Sequence, residues 1–261
     1  MAATTSVVKR VPARLRTGRA LLRSTLQRSR KLGTILATPS FRQSLLQHGV
    51  AATTEHRQIR LSPVMRTVVD VGASRGQFAL VASERWPAAM VHCFEPLPAA
   101  ADALDRHLGD RVQLHRVALG EAAGLSTMNI AKHDDSSSLL VQKLQAHEFP
   151  GTDDIATTQV RLARLDDVLT EPLTRPALLK LDVQGYEAAV LRGAPRVLTE
   201  IDEILCECSF VELYEGQPLA AEVVALLHGA GFGLVQVGRT AYGVSGRPLQ
   251  ADFLFRRHPN R

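Results

Sequence analysis

Four acidic side chains stand in or directly after apolar segments that predict buried β-strands. They are Asp70, Glu95, Asp182 and Glu207. Ligands of an open α/β sheet bind beyond the carboxyl ends of its strands, where such acids meet. One acid at a strand end can be a capping residue, but four at one edge predict a site. Carboxylates there can hold hydroxyl groups or a cation, and they can accept a proton.

The first of these acids opens a glycine-containing turn. Residues 67–76 are typical of a strand, a tight turn and the start of a helix, with the spacing Asp70-x-Gly72-x-x-x-Gly76. Glycines let the backbone turn and approach a ligand, and the first N–H groups of a helix are available to it. The pattern favours a nucleoside or nucleotide site, although an ordinary strand-to-helix turn is the alternative. The middle glycine of a dinucleotide fingerprint is absent.

The second strand narrows the choice of ligand. Glu95 lies 19 positions after Gly76, where an acid can hold ribose hydroxyls, and Pro96 follows it at the strand end. The turn itself resembles the first motif of class I methyltransferases, which bind S-adenosylmethionine (SAM). A carboxylate such as Asp70 suits the cationic groups of that molecule. A surface glutamate at a strand end is the competing interpretation of Glu95.

The hydrophobic pattern predicts the elements that position these residues. Strands are expected at 67–71, 90–95, 112–117, 178–182, 204–210, 232–237 and 251–255, and helices at 77–84, 99–107, 183–191 and 219–228. Residues 125–131 and 158–165 alternate like paired strands around a long loop, 133–151. The prediction is an α/β, Rossmann-like fold whose mostly parallel seven-stranded sheet has helices on both faces.

Composition sets the broad class of the protein. The 261 residues are 45% hydrophobic, with no apolar run of about 20 residues and no visible secretory signal. The three cysteines lack metal-ligand spacing, which favours a reducing, cytoplasmic location. The net charge of +5 conceals an asymmetry, because residues 1–54 hold ten Lys and Arg and no acid. The remainder carries 21 basic and 26 acidic residues, so the body gives no sign of a nucleic-acid surface.

The basic N-terminus is predicted to be a separate helical arm, residues 1–40, that Pro39 closes before a domain at 41–261. Val11, Leu15, Leu22 and Leu26 recur at helical spacing within the basic stretch 9–36. Three interpretations stay open at this point. The arm can pack on the domain or be partly disordered, dock on the inner membrane face as a peripheral helix, or act as an organelle transit peptide.

Five blocks of the sequence together resemble one family. They are Asp70-Val71-Gly72-Ala73, Phe94-Glu95-Pro96, Leu165-Asp166-Asp167, Lys180-x-Asp182-x-x-Gly185-x-Glu187 and Glu207-x-Ser209-Phe210. The resemblance is to the FkbM family of SAM-dependent class I methyltransferases, and it runs from about Phe41 to Phe255. It implies the class I methyltransferase fold and O-methylation of a sugar, glycolipid or polyketide-type hydroxyl.

The resemblance also implies roles for individual residues. The residues implied to bind SAM are Asp70, Gly72, Ser74, Gly76, Glu95 and Pro96, with Ala118 near the adenine. Ser74 departs from the family, which usually has Asn there, so weaker contacts are expected at that position. An alcohol is a poor nucleophile, so a base or a divalent metal is wanted. Asp182 and Glu187 are the leading base candidates and His133 a weaker one, while no metal ligands can be named.

Two other classes of function compete with a small-molecule methyltransferase. An RNA methyltransferase would grip phosphate with the basic arm, but the acidic body and the 5% aromatic content make nucleic acid an unexpected partner. A SAM-binding protein without activity would be expected to lack the pair Asp182 and Glu187, and both are present. The acceptor, the metal requirement and the oligomeric state are not determined by these patterns.

Overall fold

The protein is described from a computed structural model that covers Ser29 and residues 31–259. Its labelled helices are α1 Pro39–His48, α2 Gln77–Arg85, α3 Pro98–Leu108, α4 Gln145–Glu148, α5 Leu165–Val168, α6 Glu187–Arg192, α7 Pro195–Leu198 and α8 Ala220–Gly229. Its strands are β1 Thr67–Val71, β2 Met90–Phe94, β3 Gln113–His115, β4 Ala118–Leu119, β5 Gly124–Ala131, β6 Asp154–Ala163, β7 Ala177–Leu181, β8 Glu203–Ser209, β9 Phe232–Tyr242 and β10 Pro248–Arg257.

The main sheet has seven strands in the order β3-β2-β1-β7-β8-β10-β9. The first five pair in parallel, and β10 pairs antiparallel with both β8 and β9. The mostly parallel, Rossmann-like sheet predicted from the sequence is confirmed. The last two strands are longer than predicted, the third is shorter, and the helix expected at 183–191 begins only at Glu187.

A second sheet lies beside the main one. The predicted pairing of the segments around 125–131 and 158–165 is confirmed, since β5 and β6 form an antiparallel ladder. The dipeptide Ala118-Leu119, which is not among the predicted strands, forms β4 and pairs in parallel with β6. The long loop 133–151 contains a 3-10 turn, Asp134–Ser136, and the short helix α4.

Helices cover both faces of the main sheet, as predicted. Val69 and Val71 of β1 pack with α6, α7 and α8 on one face, while Val68 packs with α2 and α3 on the other. Because side chains alternate along a strand, Asp70 must share the face of Val68. That face therefore carries charged groups within an otherwise apolar core.

The described end of the predicted arm packs against the domain. Residues 31–37 are helical and stop before Pro39, which restricts the residue ahead of it and then starts α1 at a position that proline suits. Ile35 and Phe41 are 2% and 6% exposed and belong to the core on the α2 side. Residues 1–28 and Arg30 lie outside the described residues, so the membrane-contact and transit-peptide interpretations stay predictions.

Two further observations bear on the class of protein. None of the described helices is long and apolar enough to span a membrane. The three cysteines, Cys93, Cys206 and Cys208, are buried with free thiols.

Candidate active site

The first cleft opens at the carboxyl ends of β1, β2 and β7, and we call it the Glu95 cleft. Its lining includes five of the residues predicted to bind SAM, which are Gly72, Ser74, Glu95, Pro96 and Ala118. Phe94, Val117 and Leu119 supply apolar walls, and the segment 134–139 borders the opening. A cleft with apolar walls and a carboxylate at a strand end suits a nucleoside, whose base is flat and whose sugar carries hydroxyls.

Glu95 directly follows β2 and joins it to the turn after β1. Its Oε2 accepts a hydrogen bond from the Ser74 N–H at 2.9 Å, and its Oε1 accepts one from the Leu97 N–H at 2.8 Å. Burial raises the pKa of Glu95 to about 7, although the two backbone N–H groups favour the ionised form. The carboxylate is thus fixed in place, poised near neutral pH and in contact with the cleft.

The glycines of the turn are needed for packing inside the protein. A Cβ on Gly72, whose φ is +77°, would lie 1.9 Å from the Asp182 carbonyl oxygen. A Cβ on Gly76, whose φ is +86°, would lie 3.0 Å from Leu108 Cδ1. The close approach inferred for these glycines is therefore to β7 and to α3. Gly72 also lines the Glu95 cleft, whereas Gly76 sits at the start of α2 beneath it.

Ser74 adopts a backbone conformation that side chains rarely take. Its φ is +48°, and its Oγ is buried without a hydrogen-bond partner among residues 31–259. A buried hydroxyl with no partner costs free energy that a ligand group can recover. Strain and an unsatisfied polar atom at the same residue are typical of a binding site.

The sequence analysis placed Asp70 against the cofactor. In the structure its side chain does not reach the surface of either cleft. Its side chain is fully buried, and its Oδ1 lies 3.2 Å from the Lys180 ammonium. Burial by itself would lower the pKa of Lys180, but the charges of Asp70 and Asp182 outweigh it and raise that pKa. Lys180 is therefore a buried cation, and Asp70 is its counter-charge. The physical reason is register, since Asp70 and Lys180 are direct partners in the pairing of β1 with β7.

A second cleft, the Lys180 cleft, lies beside the first. Its lining includes Thr53, His56, Gln77, Phe78 and Lys180. The two clefts have four lining residues in common, which are Gly72, Ser74, Asp135 and Asp182. A ligand in one cleft and a ligand in the other would therefore meet at these residues.

Asp182 is an accessible acid at this junction. Its side chain is 37% exposed, its Oδ2 lies 3.5 Å from Lys180 Nζ, and its Oδ1 accepts a hydrogen bond from Gln184 Nε2 at 2.9 Å. Both carboxylate oxygens are thus oriented while one side of the group remains open. The arrangement can hold a cationic centre or take a proton from a hydroxyl.

Glu187 and His133, the other base candidates, occupy different surroundings. Glu187 is buried, and its Oε1 accepts hydrogen bonds from the N–H groups of Val183 and Gly185, both at 3.1 Å. It closes the turn after β7 and, although it was a leading base candidate, it lines neither cleft. His133 is exposed at the start of the loop. Its neighbour Asp134 forms an ion pair at 2.8 Å with Arg75, in the turn after β1.

A polar network extends from this junction to β8. Gln184, with φ of +51°, donates from Nε2 to Glu207 Oε2 at 3.4 Å and accepts at Oε1 a hydrogen bond from the Tyr214 hydroxyl at 2.9 Å. Burial, followed by the charge of Asp182, raises the pKa of Glu207 well above its usual range. Among residues 31–259, no group of three or more acidic, His or Cys side chains is arranged to hold a metal ion.

The sequence interpretation assigned no role to Lys180, Gln184 or Tyr214. Lys180 could have been noticed as the one charge inside the apolar run 178–181, and Gln184 as a residue preceding Gly185 in the most specific family block. Tyr214 carried no local signal, because it reaches Gln184 from the connection after β8. His56 was likewise not considered.

Comparisons with known proteins identify the family. A family profile described as the methyltransferase FkbM domain matches residues 70–234. The chain is 33% identical over 179 residues to the 2-O-methyltransferase NoeI of Sinorhizobium fredii, a match that covers 64% of this chain and 74% of NoeI. It is 29% identical over 202 residues to the 31-O-demethyl-FK506 methyltransferase FkbM of Streptomyces tacrolimicus, covering 64% of this chain and 73% of that protein.

One solved structure that aligns with this chain is magnesium protoporphyrin IX methyltransferase from Synechocystis PCC 6803 with bound SAM. The TM-score is 0.42 at 10% identity, and the alignment covers 75% of this chain and 71% of that one. The profile match, by contrast, spans more than half of the chain and includes Glu95 and Asp182. The protein therefore belongs to the FkbM family of methyltransferases, enzymes that take their methyl group from SAM.

Proposed function

We propose that the protein transfers a methyl group from SAM to a hydroxyl oxygen of a sugar, glycolipid or polyketide-type acceptor. The observation that carries this proposal is the position of Asp182, an oriented and half-exposed carboxylate at the junction of two clefts. The names of the two relatives agree with it, since both describe methyl transfer at oxygen. A transferase needs two adjoining binding sites, and this junction provides them.

The residues of the Glu95 cleft fit the cofactor. The Glu95 carboxylate can accept hydrogen bonds from the ribose hydroxyls, and the unsatisfied Ser74 Oγ can bond to a further polar group. Ala118 and Leu119 offer an apolar surface to the adenine. Asp182 supplies negative charge close to where a sulfonium would lie. When bound, SAM would supply a methyl carbon for the oxygen nucleophile to attack, with S-adenosylhomocysteine as the leaving group.

Asp182 is the proposed general base. An acceptor hydroxyl in the Lys180 cleft would give its proton to this carboxylate as its oxygen gains the methyl group. Lys180 and Gln184 each hold one carboxylate oxygen, which fixes the orientation of the base. The contacts of Glu187 assign it to shaping the turn, and the exposure of His133 leaves it outside the proposed chemistry.

The test is incubation of the full-length protein with methyl-labelled SAM and separate acceptor pools. The pools are monosaccharides, a glycolipid extract, macrolide-type polyketides, and total RNA. The expected result is label in a methyl ether from one of the first three pools, identified by mass spectrometry. S-adenosylhomocysteine in excess should suppress the label. Label confined to RNA, or S-adenosylhomocysteine binding without any transfer, would contradict the proposal in favour of the two alternative functions.

A further inference from the structure

His56 is a buried histidine that the proposed chemistry does not yet use. It lies in the 3-10 turn Glu55–Gln58, between α1 and β1, and it is 8% exposed. Its ring meets Phe78 edge-on, with 5.4 Å between the ring centroids. It also belongs to the lining of the Lys180 cleft.

The partner of His56 determines which ring nitrogen is available. Nε2 lies 3.4 Å from Asp252 Oδ1, on β10. A carboxylate at Nε2 keeps the proton of a neutral imidazole on that nitrogen, and Nδ1 is then left with a lone pair. Nδ1 is buried and lacks a hydrogen-bond partner within residues 31–259. A buried acceptor without a donor is costly unless a ligand supplies that donor.

The surroundings of His56 indicate what kind of group would supply it. Thr53, Gln77, Lys180 and Asp182 line the same cleft, so polar groups that can bond to hydroxyls surround the space. Because Asp182 would use one acceptor hydroxyl as the methylation site, a hydrogen bond to Nδ1 requires a different O–H on the same molecule. An acceptor with a single hydroxyl would leave Nδ1 unsatisfied.

We infer that the Lys180 cleft binds a polyhydroxylated acceptor, with one hydroxyl at Asp182 and a second donating its hydrogen bond to His56 Nδ1. This inference rests on the proposed function and narrows its acceptor to a sugar-like polyol. His56 and Asp252 both lie outside the matched residues 70–234. His56 is thus a specificity-determining residue that lies outside the profile match.

Two substitutions separate the ring nitrogens. His56→Gln places an amide near the position of Nε2, beside Asp252, and leaves no acceptor at Nδ1. His56→Asn places an amide oxygen near Nδ1 instead. With the acceptor that the wild type methylates, the Gln variant should raise the acceptor KM about tenfold or more, because a hydroxyl loses its partner. The Asn variant should stay close to wild type, and calorimetry should give both the wild-type Kd for S-adenosylhomocysteine.

Monodeoxy forms of that acceptor locate the second hydroxyl. For one deoxy acceptor, the wild type should have a higher KM than for the parent acceptor. The Gln variant should have the same KM for both, because it already lacks the contact between that hydroxyl and His56 Nδ1. Equal penalties in both enzymes for every deoxy form would overturn the inference. Weaker binding of S-adenosylhomocysteine by both variants would also overturn it, because the cleft would then serve the cofactor.

The tautomer of His56 can be tested without an acceptor. Nitrogen-15 NMR of the S-adenosylhomocysteine complex should show His56 protonated on Nε2, and an Nδ1–H tautomer would contradict the assignment. A wild type that methylates no hydroxyl in any pool contradicts the proposed function itself. A wild type that methylates one and is matched by the Gln variant contradicts only the role of His56.

Discussion

The two clefts that meet at Asp182 are built by different means. In the Glu95 cleft, the carboxylate is held by backbone N–H groups of Ser74 and Leu97, which the turn after β1 and the start of α3 supply. In the Lys180 cleft, the charges are held by one another, as Lys180 pairs with Asp70 and Asp182. The Glu95 carboxylate, held by backbone N–H groups, remains available to a ligand, whereas the fully buried Asp70 is committed to its pairing with Lys180.

Asp70 and Glu95 show this difference most directly. Both are buried acids that the sequence analysis assigned to the SAM site. Asp70 lies inside β1 and faces Lys180 across the β1–β7 pairing, while Glu95 comes one position after β2 and borders the cleft. A shift of two positions relative to the strand end therefore separates the acid that pairs with Lys180 from the acid that borders the cleft.

The largest expected effect is on stability, from removal of the buried cation. Lys180→Met should lower the free energy of unfolding by about 3–5 kcal/mol, because it leaves the buried Asp70 carboxyl without its partner. Urea denaturation followed by fluorescence of Trp86, the single tryptophan, measures it. Lys143→Met is the control, since Lys143 is exposed in its ion pair with Glu212 and its loss should cost about 1 kcal/mol or less.

The double variant Asp70→Asn with Lys180→Met sharpens this test. It removes both charges, so it should be more stable than Lys180→Met alone. A double variant that is less stable than the single one would show that Asp70 has another partner. Asp70 would then have to be reconsidered as a residue of the cofactor site.

Substitution of Asp182 should affect catalysis more than folding. Asp182→Asn should lower turnover about 10²-fold or more, the usual scale for loss of a general base. Its melting temperature should stay near that of the wild type, because the side chain is 37% exposed. Asp167→Asn, an acid whose side chain is 55% exposed, is the matched control and should leave turnover unchanged. Retained turnover in Asp182→Asn would move the role of base to another group.

Substitution of Glu95 should affect binding of the cofactor. Glu95→Ala should weaken binding of S-adenosylhomocysteine by about 1–3 kcal/mol, the cost of leaving buried donors without an acceptor. Glu121→Ala is the control, since that side chain is 62% exposed. Calorimetry that finds equal affinities for the Glu95 variant and the wild type would remove the ribose assignment and with it the contrast between Glu95 and Asp70.

The pKa of Glu95 gives the Glu95 cleft a pH dependence. Ribose hydroxyls donate to the ionised carboxylate, and burial raises the pKa of Glu95 to about 7. Affinity for S-adenosylhomocysteine should therefore rise by up to about tenfold between pH 6 and pH 8, with release of a proton on binding. Glu95→Gln should abolish this dependence, and calorimetry in two buffers of different ionisation enthalpy measures it. A pH-independent wild type would contradict the assignment.

The raised pKa of Glu95 also gives the stability of the fold a pH dependence, opposite in direction to that of cofactor binding. The folded-state pKa of Glu95 is raised from its ordinary value of 4.5, so its stabilising contribution is full below pH 4.5. That contribution is lost as the pH rises through about 7. Burial also raises the pKa of Glu187 to about 7, so its contribution to stability is lost over the same pH interval. The unliganded enzyme should thus become less stable over the interval in which it binds the cofactor better.

The sequence predicted the features that depend on neighbouring residues and missed those that depend on contacts between distant segments. The strand, turn and helix around Gly72, and the position of Glu95, depend on residues close in the chain, and the periodicity located them. The partners of Lys180 and His56 come from distant strands, so no spacing within the sequence reports them. The strand of Ala118 and Leu119 was missed for the same reason, because it exists only through pairing with β6.

The smallest expected effect concerns Ser74, where the backbone strain and the ligand contact can be separated. Ser74→Asn restores the residue usual in the family and tolerates the left-handed φ of +48° better than serine, so it should stabilise the protein by about 0.5 kcal/mol. Ser74→Gly also relieves the strain but removes the hydroxyl. If Oγ contacts the cofactor, Ser74→Gly should bind S-adenosylhomocysteine a few-fold more weakly than the wild type, while Ser74→Asn binds at least as well. Unchanged affinity in Ser74→Gly would make the unsatisfied Oγ a feature of the fold alone, and the Glu95 carboxylate would then be the principal polar contact that the turn after β1 offers to the cofactor.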